Sequence, residues 1–200
     1  MSFKTKDHYY KKARKEKYNA RSVYKLEEID KHFKLIKKGQ NLLDLGYFPG
    51  SWSQYCAKKV GRQGKVLALD LQGPQENLQS FQQVEMKRMD VFEFQTDQLF
   101  DGILSDMAPQ TTGIKSVDQA KSLELVEKVF NLSKDLLKPE GFIIVKVFDS
   151  QEAQSFIKDQ KRKFLSFKLF KPKSTRSVSK EFFVIANNLK GSKSKNELSI

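Results

Sequence analysis

The sequence predicts an α/β fold in which a mostly parallel sheet is covered by helices on both faces. Stretches that resemble strands alternate along the chain with stretches of helical apolar spacing. Several strand stretches, among them 41–46, 65–70 and 141–148, are almost wholly apolar, which is typical of strands buried on both faces. Near the end, 164–170 and 181–186 follow one another without a helical stretch between them. This departure predicts an antiparallel pair at one edge of the sheet.

The elements follow in order from local signals. We expect residues 1–17 to be a mobile basic arm, followed by a helix from Asn19, as its N-cap, to about Lys37. A turn is expected at residues 139–141, because Pro and Gly interrupt regular structure. The strands are predicted at 41–46, 65–70, 84–90, 100–106, 141–148, 164–170 and 181–186, and the other helices at 51–60, 116–137 and 151–162. Residues 1–187 would form one domain, followed by a polar tail over 188–200.

The positive charge is concentrated in two segments. The 200 residues carry a net charge of +13. Residues 1–38 contain 13 Lys and Arg against 5 Asp and Glu, and residues 155–180 contain 9 against 1. Segregated charge of one sign favours a surface that binds a polyanion over charge that serves only solubility, and RNA is the expected partner. The tyrosines of the first basic segment could stack on unpaired bases or could pack in the core: Tyr9, Tyr10, Tyr18 and Tyr24.

Other classes of protein are disfavoured by composition. No apolar run reaches the length of a membrane span, and the N-terminus lacks a secretory signal. Cys56 is the single cysteine, which excludes an internal disulfide and fits a reducing, cytoplasmic location. His8 and His32 with one cysteine make no convincing metal set, so no metal is expected. We expect a monomer, because no extended apolar surface stands out.

Acidic residues at successive strand ends predict the ligand site. In an open α/β sheet, ligands bind beyond the carboxyl ends of the strands. Gly46 and Gly50 form a turn there that would let a ligand approach the backbone. The acids suit S-adenosylmethionine (SAM), which carries a sulfonium and an ammonium, whereas nothing basic is evident for a pyrophosphate. Acids are also common turn residues, which is the simpler alternative. The acids concerned are Asp44, within the first strand, and Asp70, Asp90 and Asp106.

Lys146 interrupts the apolar run GFIIVKVF. A lysine is rarely buried without a partner, and burial disfavours its charged form, so it could act as a general base. The alternative is a lysine at a strand end that reaches solvent. Asp106 at the neighbouring strand end would hold the amine in position. Lys25 could supply a second cation, and Glu181 could pair with it.

These stretches together resemble a known family. The strings RSVYKLEEID, DLGYFPGSWSQ, SDMAP, VKVF and SKEFFVIA match, in order, the FtsJ-type ribose 2′-O-methyltransferases that act on large-subunit ribosomal RNA, over residues 18–187. The resemblance implies a Rossmann-like, seven-stranded SAM-dependent methyltransferase fold with an antiparallel last strand. It implies a catalytic tetrad at Lys25, Asp106, Lys146 and Glu181, and SAM-binding positions at Gly50, Trp52, Asp70, Asp90 and Asp106. The implied substrate is a uridine ribose in the assembled large subunit.

The glycine turn departs from that family. Tyr47 and Phe48 stand where small residues are usual, and Ser51 replaces a second glycine. Bulk at these positions could crowd the methionine end of SAM. Two alternatives therefore stand beside the leading hypothesis: an inactive RNA-binding or ribosome-assembly factor with this fold, and the same chemistry on transfer RNA.

Overall fold

The computed structural model describes residues 3–176 and 178–191, in which two α-helices precede a series of strands and further α-helices. The helices are α1 (Phe3–Lys15), α2 (Val23–Phe33), α3 (Ser51–Val60), α4 (Lys115–Leu136) and α5 (Gln151–Lys161). The strands are β1 (Asn41–Leu45), β2 (Lys65–Asp70), β3 (Val84–Arg88), β4 (Phe100–Ser105), β5 (Leu137–Phe148), β6 (Phe164–Phe170) and β7 (Glu181–Leu189).

The seven strands form one sheet in the order β3-β2-β1-β4-β5-β7-β6. Neighbours from β3 to β5 are parallel, whereas β7 runs antiparallel to both β5 and β6. The predicted α/β fold, with its antiparallel last strand, is confirmed. Because β1 lies between β2 and β4, the strand order reverses there, and the carboxyl ends of these strands flank the crevice where such sheets bind ligands.

Alternate residues of the central strands face two separate hydrophobic cores, as the period of two in a strand requires. On one face, Ile143, Val145 and Val147 of β5 pack with apolar residues of α4 and α5. On the other face, Phe142 and Ile144 pack with apolar residues of α2 and α3. Lys146 shares the second face with Ile144, so its side chain lies on the side of the sheet that α2 covers.

The helix predicted at 19–37 is shorter than expected. It runs from Val23 to Phe33 and ends where Lys34 adopts a left-handed conformation. Asn19 does not cap it: its side-chain amide donates to the Pro49 carbonyl, and its main-chain N–H donates to the side-chain oxygen of Gln54. Asn19 therefore fastens the entry to α2 onto the turn before α3. Its partners lie 30 and 35 residues away, so local sequence could not reveal them.

The segment expected to be a mobile arm is helical from Phe3 to Lys15. Ala13 is buried in the core beneath α2. The ring of Tyr9 packs against buried Tyr24, with 5.4 Å between ring centroids, and the Tyr24 hydroxyl donates to Glu16. Packing therefore accounts for buried Tyr24, and Tyr9 lies half-buried against it.

The turn predicted at residues 139–141 is also absent, because β5 already begins at Leu137. Leu137 pairs with Phe100 and Phe142 pairs with Gly102, so five steps along β5 oppose two along β4. This bulge places Pro139 in the strand where the regular pairing is interrupted, a position that tolerates a missing N–H.

The last strand continues to Leu189, two residues beyond the predicted domain end at 187. The division into a domain and a tail stays a prediction, since residues 192–200 lie outside the described residues. Within 3–176 and 178–191, no helix combines the length and the apolar character needed to cross a bilayer.

Candidate active site

Four charged residues from four elements meet at the carboxyl edge of the sheet. Asp106 directly follows β4, and Lys146 lies near the end of neighbouring β5. Glu181 is the first residue of β7, which is antiparallel and so starts at this same edge, opposite Phe148. Lys25 is on the first turn of α2, which packs over this face. The sheet topology therefore brings together the four residues predicted as a tetrad.

The two lysines bridge the two carboxylates. Lys146 Nζ lies 3.1 Å from Asp106 Oδ1 and donates a hydrogen bond of 2.5 Å to the Asp106 main-chain carbonyl. Lys25 Nζ lies 2.5 Å from Glu181 Oε1 and 3.9 Å from Asp106 Oδ1. Asp106 thus holds Lys146 by two of its own oxygens, and Lys25 connects the two acids. Two ammonium groups offset two carboxylates when all four are ionised.

The tetrad is largely shielded from water. The exposed fraction of the side chain is 7% for Lys146, 9% for Glu181, 15% for Lys25 and 17% for Asp106. Burial alone would raise the pKa of Glu181. The positive charge and hydrogen bond of Lys25, the charge of Lys146 and the Ser179 hydroxyl together outweigh burial and lower that pKa. Glu181 is therefore a carboxylate held in its charged form by the two lysines.

A groove of about 400 Å³ adjoins the tetrad at the ends of β1, β2 and β4. This volume lies within the range of small-molecule sites. Asp106 belongs to both the groove and the tetrad. The groove combines acidic groups with apolar walls, and its lining includes Gly46, Phe48, Asp70, Leu71, Asp90, Phe92, Asp106 and Met107. The sequence analysis did not predict the apolar walls of the groove. Phe92 could have been found, because it is an aromatic residue placed just after the strand-end acid Asp90.

Main-chain N–H groups hold the groove carboxylates. Asp70 accepts from Phe48 N–H at 3.1 Å and from Gln72 N–H at 2.9 Å, one on each oxygen. Asp90 Oδ1 accepts from Phe92 N–H at 2.9 Å. A carboxylate oxygen has more than one acceptor position, so these acids can still accept hydrogen bonds from a ligand.

Gly46 makes the floor of the groove possible. Its φ is +73°, and a Cβ there would lie 2.4 Å from Met107 Cγ, so no other residue fits without displacing the chain after β4. Of the predicted cofactor-binding residues, the structure brings Gly46, Asp70, Asp90 and Asp106 to the groove.

Three predicted cofactor-binding residues lie outside the lining of this groove. Trp52 is buried under α2, where its indole N–H donates to the Ser22 carbonyl at 2.9 Å. Gly50, with φ +106°, packs closely against Leu78. Asp44 is buried within β1 and accepts a hydrogen bond of 2.5 Å from Ser53. Their assignment to the cofactor stays a prediction: Asp44 and Trp52 are buried and Gly50 packs against Leu78, whereas the other four predicted residues line the groove.

The three residues that depart from the family's glycine turn, Tyr47, Phe48 and Ser51, lie in different surroundings. Tyr47 is buried against Ala68 and Leu78, and its hydroxyl donates to the Gly73 carbonyl. Ser51 is buried beside the Ser22 hydroxyl. Phe48 alone of the three lines the groove. Tyr47 and Ser51 therefore do not narrow it.

The side chains around the groove indicate which kind of ligand it can bind. No group of three or more His, Cys, Asp or Glu in the described part of the chain is placed to hold a metal ion. Carboxylates beside apolar and aromatic walls instead fit a cationic ligand with hydroxyl groups and a flat ring. A sheet of this order with an antiparallel seventh strand, and with such a groove at its carboxyl edge, defines a Rossmann-like methyltransferase fold.

Comparisons with known proteins agree with this class. A family model described as FtsJ-like methyltransferase matches residues 18–189. The ribosomal RNA large subunit methyltransferase E of Bdellovibrio bacteriovorus is 42% identical over 191 residues, covering 92% of this chain and 97% of that protein. The protein of the same name from Nitratidesulfovibrio vulgaris is 43% identical over 194 residues, covering 94% and 95%. The chain belongs to the FtsJ-like methyltransferase family and is an enzyme of the methyltransferase class.

A solved structure shows the same architecture. The crystal structure of a putative ribosomal RNA methyltransferase from Plasmodium falciparum superposes with a TM-score of 0.73 at 25% identity, covering 86% of this chain and 98% of that one.

Proposed function

We propose that this enzyme transfers a methyl group from SAM to the 2′-hydroxyl of a uridine ribose in large-subunit ribosomal RNA, with the assembled subunit as substrate. The observation that carries the proposal is the meeting of Lys25, Asp106, Lys146 and Glu181 beside an acidic groove. A hydroxyl is a poor nucleophile until a base takes its proton, and this site supplies amines and carboxylates for that task.

Lys146 is the proposed general base. Its neutral amine would accept the proton of the 2′-hydroxyl. Asp106 fixes the direction of Nζ through its main-chain carbonyl and its carboxylate. Lys25, bound to Glu181, lies on the other side of Asp106, where it and Glu181 can position the hydroxyl. Positioning of this kind can supply a large part of a rate enhancement when the reacting atoms are held in line.

The groove residues fit SAM by their chemistry. Asp70 would accept hydrogen bonds from ribose hydroxyls, and Asp90 from an adenine amino group, between the apolar walls of Leu71 and Phe92. When bound, SAM supplies a methyl group on a positively charged sulfur, which is already an activated donor. Asp106, shared by groove and tetrad, would then lie between the donor and the base.

The choice of RNA substrate rests on two supports. The relatives that match over more than nine-tenths of the chain are named ribosomal RNA large subunit methyltransferases. The basic segments 1–38 and 155–180 supply the positive charge that phosphate backbones require.

The two alternatives have less support. The inactive RNA-binding or assembly factor depended on a crowded glycine turn, but only Phe48 of its three unusual residues lines the groove, while Tyr47 and Ser51 pack away from it. A binding module also has no need for a shielded Lys146. No observation on the tetrad or groove favours transfer RNA.

The test is methyl transfer from labelled SAM to under-methylated large ribosomal subunits by the native enzyme and Lys146→Ala. We expect labelled 2′-O-methyluridine with the native enzyme, and turnover lower by about 10²- to 10⁴-fold in the variant, the usual contribution of a general base. SAM affinity should be unchanged.

Lys65→Ala is a matched control, because Lys65 is exposed at the opposite edge of the sheet. Near-native turnover of Lys146→Ala would remove Lys146 from the base role. Label on a base rather than a ribose would contradict the proposed reaction. Label on transfer RNA but not on subunits would shift the substrate, and SAM binding without any transfer would favour the inactive factor.

A further inference from the structure

The loop that leads into Glu181 is strongly basic. We call residues 171–180, between β6 and β7, the β6–β7 loop. Its sequence is KPKSTRSVSK, with four Lys or Arg and no acidic residue. The loop ends at the first residue of β7, which is Glu181 of the tetrad. The end of the loop therefore lies beside the tetrad, where the proposed RNA substrate would bind.

Glu28 of α2 fastens this loop by both carboxylate oxygens. Its Oε2 accepts the Lys173 main-chain N–H at 2.7 Å, and its Oε1 accepts the Ser174 main-chain N–H at 2.9 Å. The bonds join residues 145 and 146 positions apart. Hydrogen bonds to a charged acceptor are the stronger kind. Glu28 thus ties the loop to the helix that carries Lys25.

Arg21 holds the loop at the main-chain carbonyl of the same residue, Ser174. Its Nη2 donates to the Ser174 carbonyl at 2.6 Å. Ser174 and Thr175 are 2% and 9% exposed, so this part of the loop is seated against the protein, and their hydroxyls have no hydrogen-bond partner in the described structure. Glu28 and Arg21 together hold the main chain on both sides of Ser174 in one position.

This anchoring brings like charges together. The hydrogen bond to Ser174 places the Arg21 guanidinium on the loop two residues before Arg176. Burial lowers the pKa of Arg21 most and the positive charge of Arg176 lowers it further, whereas the charges of Tyr9 and Glu181 oppose the shift. Within residues 3–176 and 178–191, no carboxylate forms an ion pair with Lys171, Lys173, Arg176 or Lys180. Uncompensated cations gathered beside an active site favour a phosphate ligand.

We propose that Glu28 is a positioning residue that holds the β6–β7 loop on α2, so that Arg21, Lys173 and Arg176 bind RNA backbone phosphates next to the reacting ribose. The inference rests on the proposed function, since it deepens the account of how that RNA is held.

The direction of the change in RNA affinity distinguishes this positioning role from a mere change in net charge. Removing a carboxylate from a basic surface makes the surface more positive, which should tighten RNA binding. Loss of the anchor should instead weaken binding, because the loop cations would no longer be held in place. Glu27→Gln on the same helix makes the same change in charge, and Glu27 pairs with Lys31 rather than with the loop.

The experiment compares the native chain, Glu28→Ala, Glu28→Gln and Glu27→Gln by two readouts. Hydrogen exchange at the Lys173 and Ser174 amides reports the anchor directly. The dissociation constant for under-methylated large subunits, measured over a range of salt, reports RNA binding. We expect faster exchange and roughly tenfold weaker subunit binding in Glu28→Ala, with a salt slope smaller by about 1–2, as for one or two lost phosphate contacts. KM for subunits should rise more than kcat falls, with SAM affinity unchanged.

Glu28→Gln keeps one acceptor oxygen and should be intermediate in both readouts. Glu27→Gln should exchange as the native chain does and bind at least as tightly. Unchanged exchange in Glu28→Ala would overturn the anchor, and faster exchange with unchanged or tighter subunit binding would overturn its role in RNA binding. A native chain that binds no subunit would instead refute the proposed function, while the exchange readout would still report whether Glu28 holds the loop.

Discussion

The two halves of the sheet's carboxyl edge hold their carboxylates in different ways. In the groove half, main-chain N–H groups hold Asp70 and Asp90, and no ion pair to either is present in the described residues. In the tetrad half, lysine ammonium groups contact Asp106 and Glu181. Neutral donors leave the groove with net negative charge, whereas paired lysines neutralise the tetrad.

This difference matches the tasks proposed for each half. A cationic ligand is attracted by carboxylates whose charge is not already offset. Proton transfer instead needs an amine whose position is fixed and whose surroundings exclude water, which the shielded Lys146 provides. The half to which a residue belongs should therefore decide whether its loss changes cofactor affinity, turnover or both.

Asp106→Asn should have the largest effect, because Asp106 belongs to both halves. The variant keeps the main-chain carbonyl that binds Lys146 but loses the negative charge that faces Lys146, Lys25 and the groove. We expect kcat to fall by about 10²-fold or more, as for loss of a well-placed charge near a reacting group. The dissociation constant for SAM should rise in the same variant. Single-turnover kinetics and calorimetry measure the two effects separately.

Asp106→Asn also differs from Lys146→Ala, which should change turnover alone. If Asp106→Asn lowered turnover but bound SAM as the native enzyme does, Asp106 would belong to the tetrad only. The two halves would then share no residue.

Asp70→Asn should have the next largest effect, confined to cofactor binding. Asparagine keeps one oxygen acceptor, but its amide group would face a main-chain N–H, either that of Phe48 or that of Gln72. We expect SAM affinity to fall about tenfold, the size of one charged hydrogen bond, with kcat at saturating SAM near native. Equilibrium dialysis and saturation kinetics would check this. A fall in kcat without a change in affinity would contradict the division into two halves.

Local sequence predicted the elements well where each had its own signal. The predicted bounds of α3 and β6 agree with the structure at both ends, and the tetrad residues do meet. The meeting could be predicted because parallel strands align their carboxyl ends and a family pattern supplied the partners.

The errors arose where distant partners decide the structure. Asn19 looked like an N-cap, but its partners belong to the turn before α3. Trp52, whose assignment to the cofactor stays a prediction, donates its indole N–H to the Ser22 carbonyl, 30 residues away. Glu28 gave no signal at all, because a surface glutamate reveals nothing about a loop 145 residues later. Hydrophobic periodicity predicts elements; it cannot predict which polar groups will bond across them.

Asp44 lies within β1, outside the lining of the groove, and its substitution should have the smallest effect on methyl transfer. It is buried within β1, where Oδ2 accepts from Ser53 and Oδ1 has no hydrogen-bond partner. Burial raises its pKa to about 7; the Ser53 hydrogen bond opposes the shift, and the charges of Asp106 and Asp70 add to it. Because the folded pKa lies above the unfolded value, the acid stabilises the fold at low pH, and this contribution is lost as the pH rises to about 7.

Asp44→Asn should therefore remove a pH dependence of the unfolding free energy worth at most about 4 kcal/mol. Relative to the native chain, the variant should gain stability from pH 5 to pH 8, measured by urea denaturation at each pH. Asp97→Asn, at an exposed position, controls for the loss of one carboxylate. Parallel stability profiles for Asp44→Asn and the native chain would mean that the buried carboxyl does not titrate in this range. Asp44 would then be ionised throughout this range, and its negative charge would add to that of the groove half.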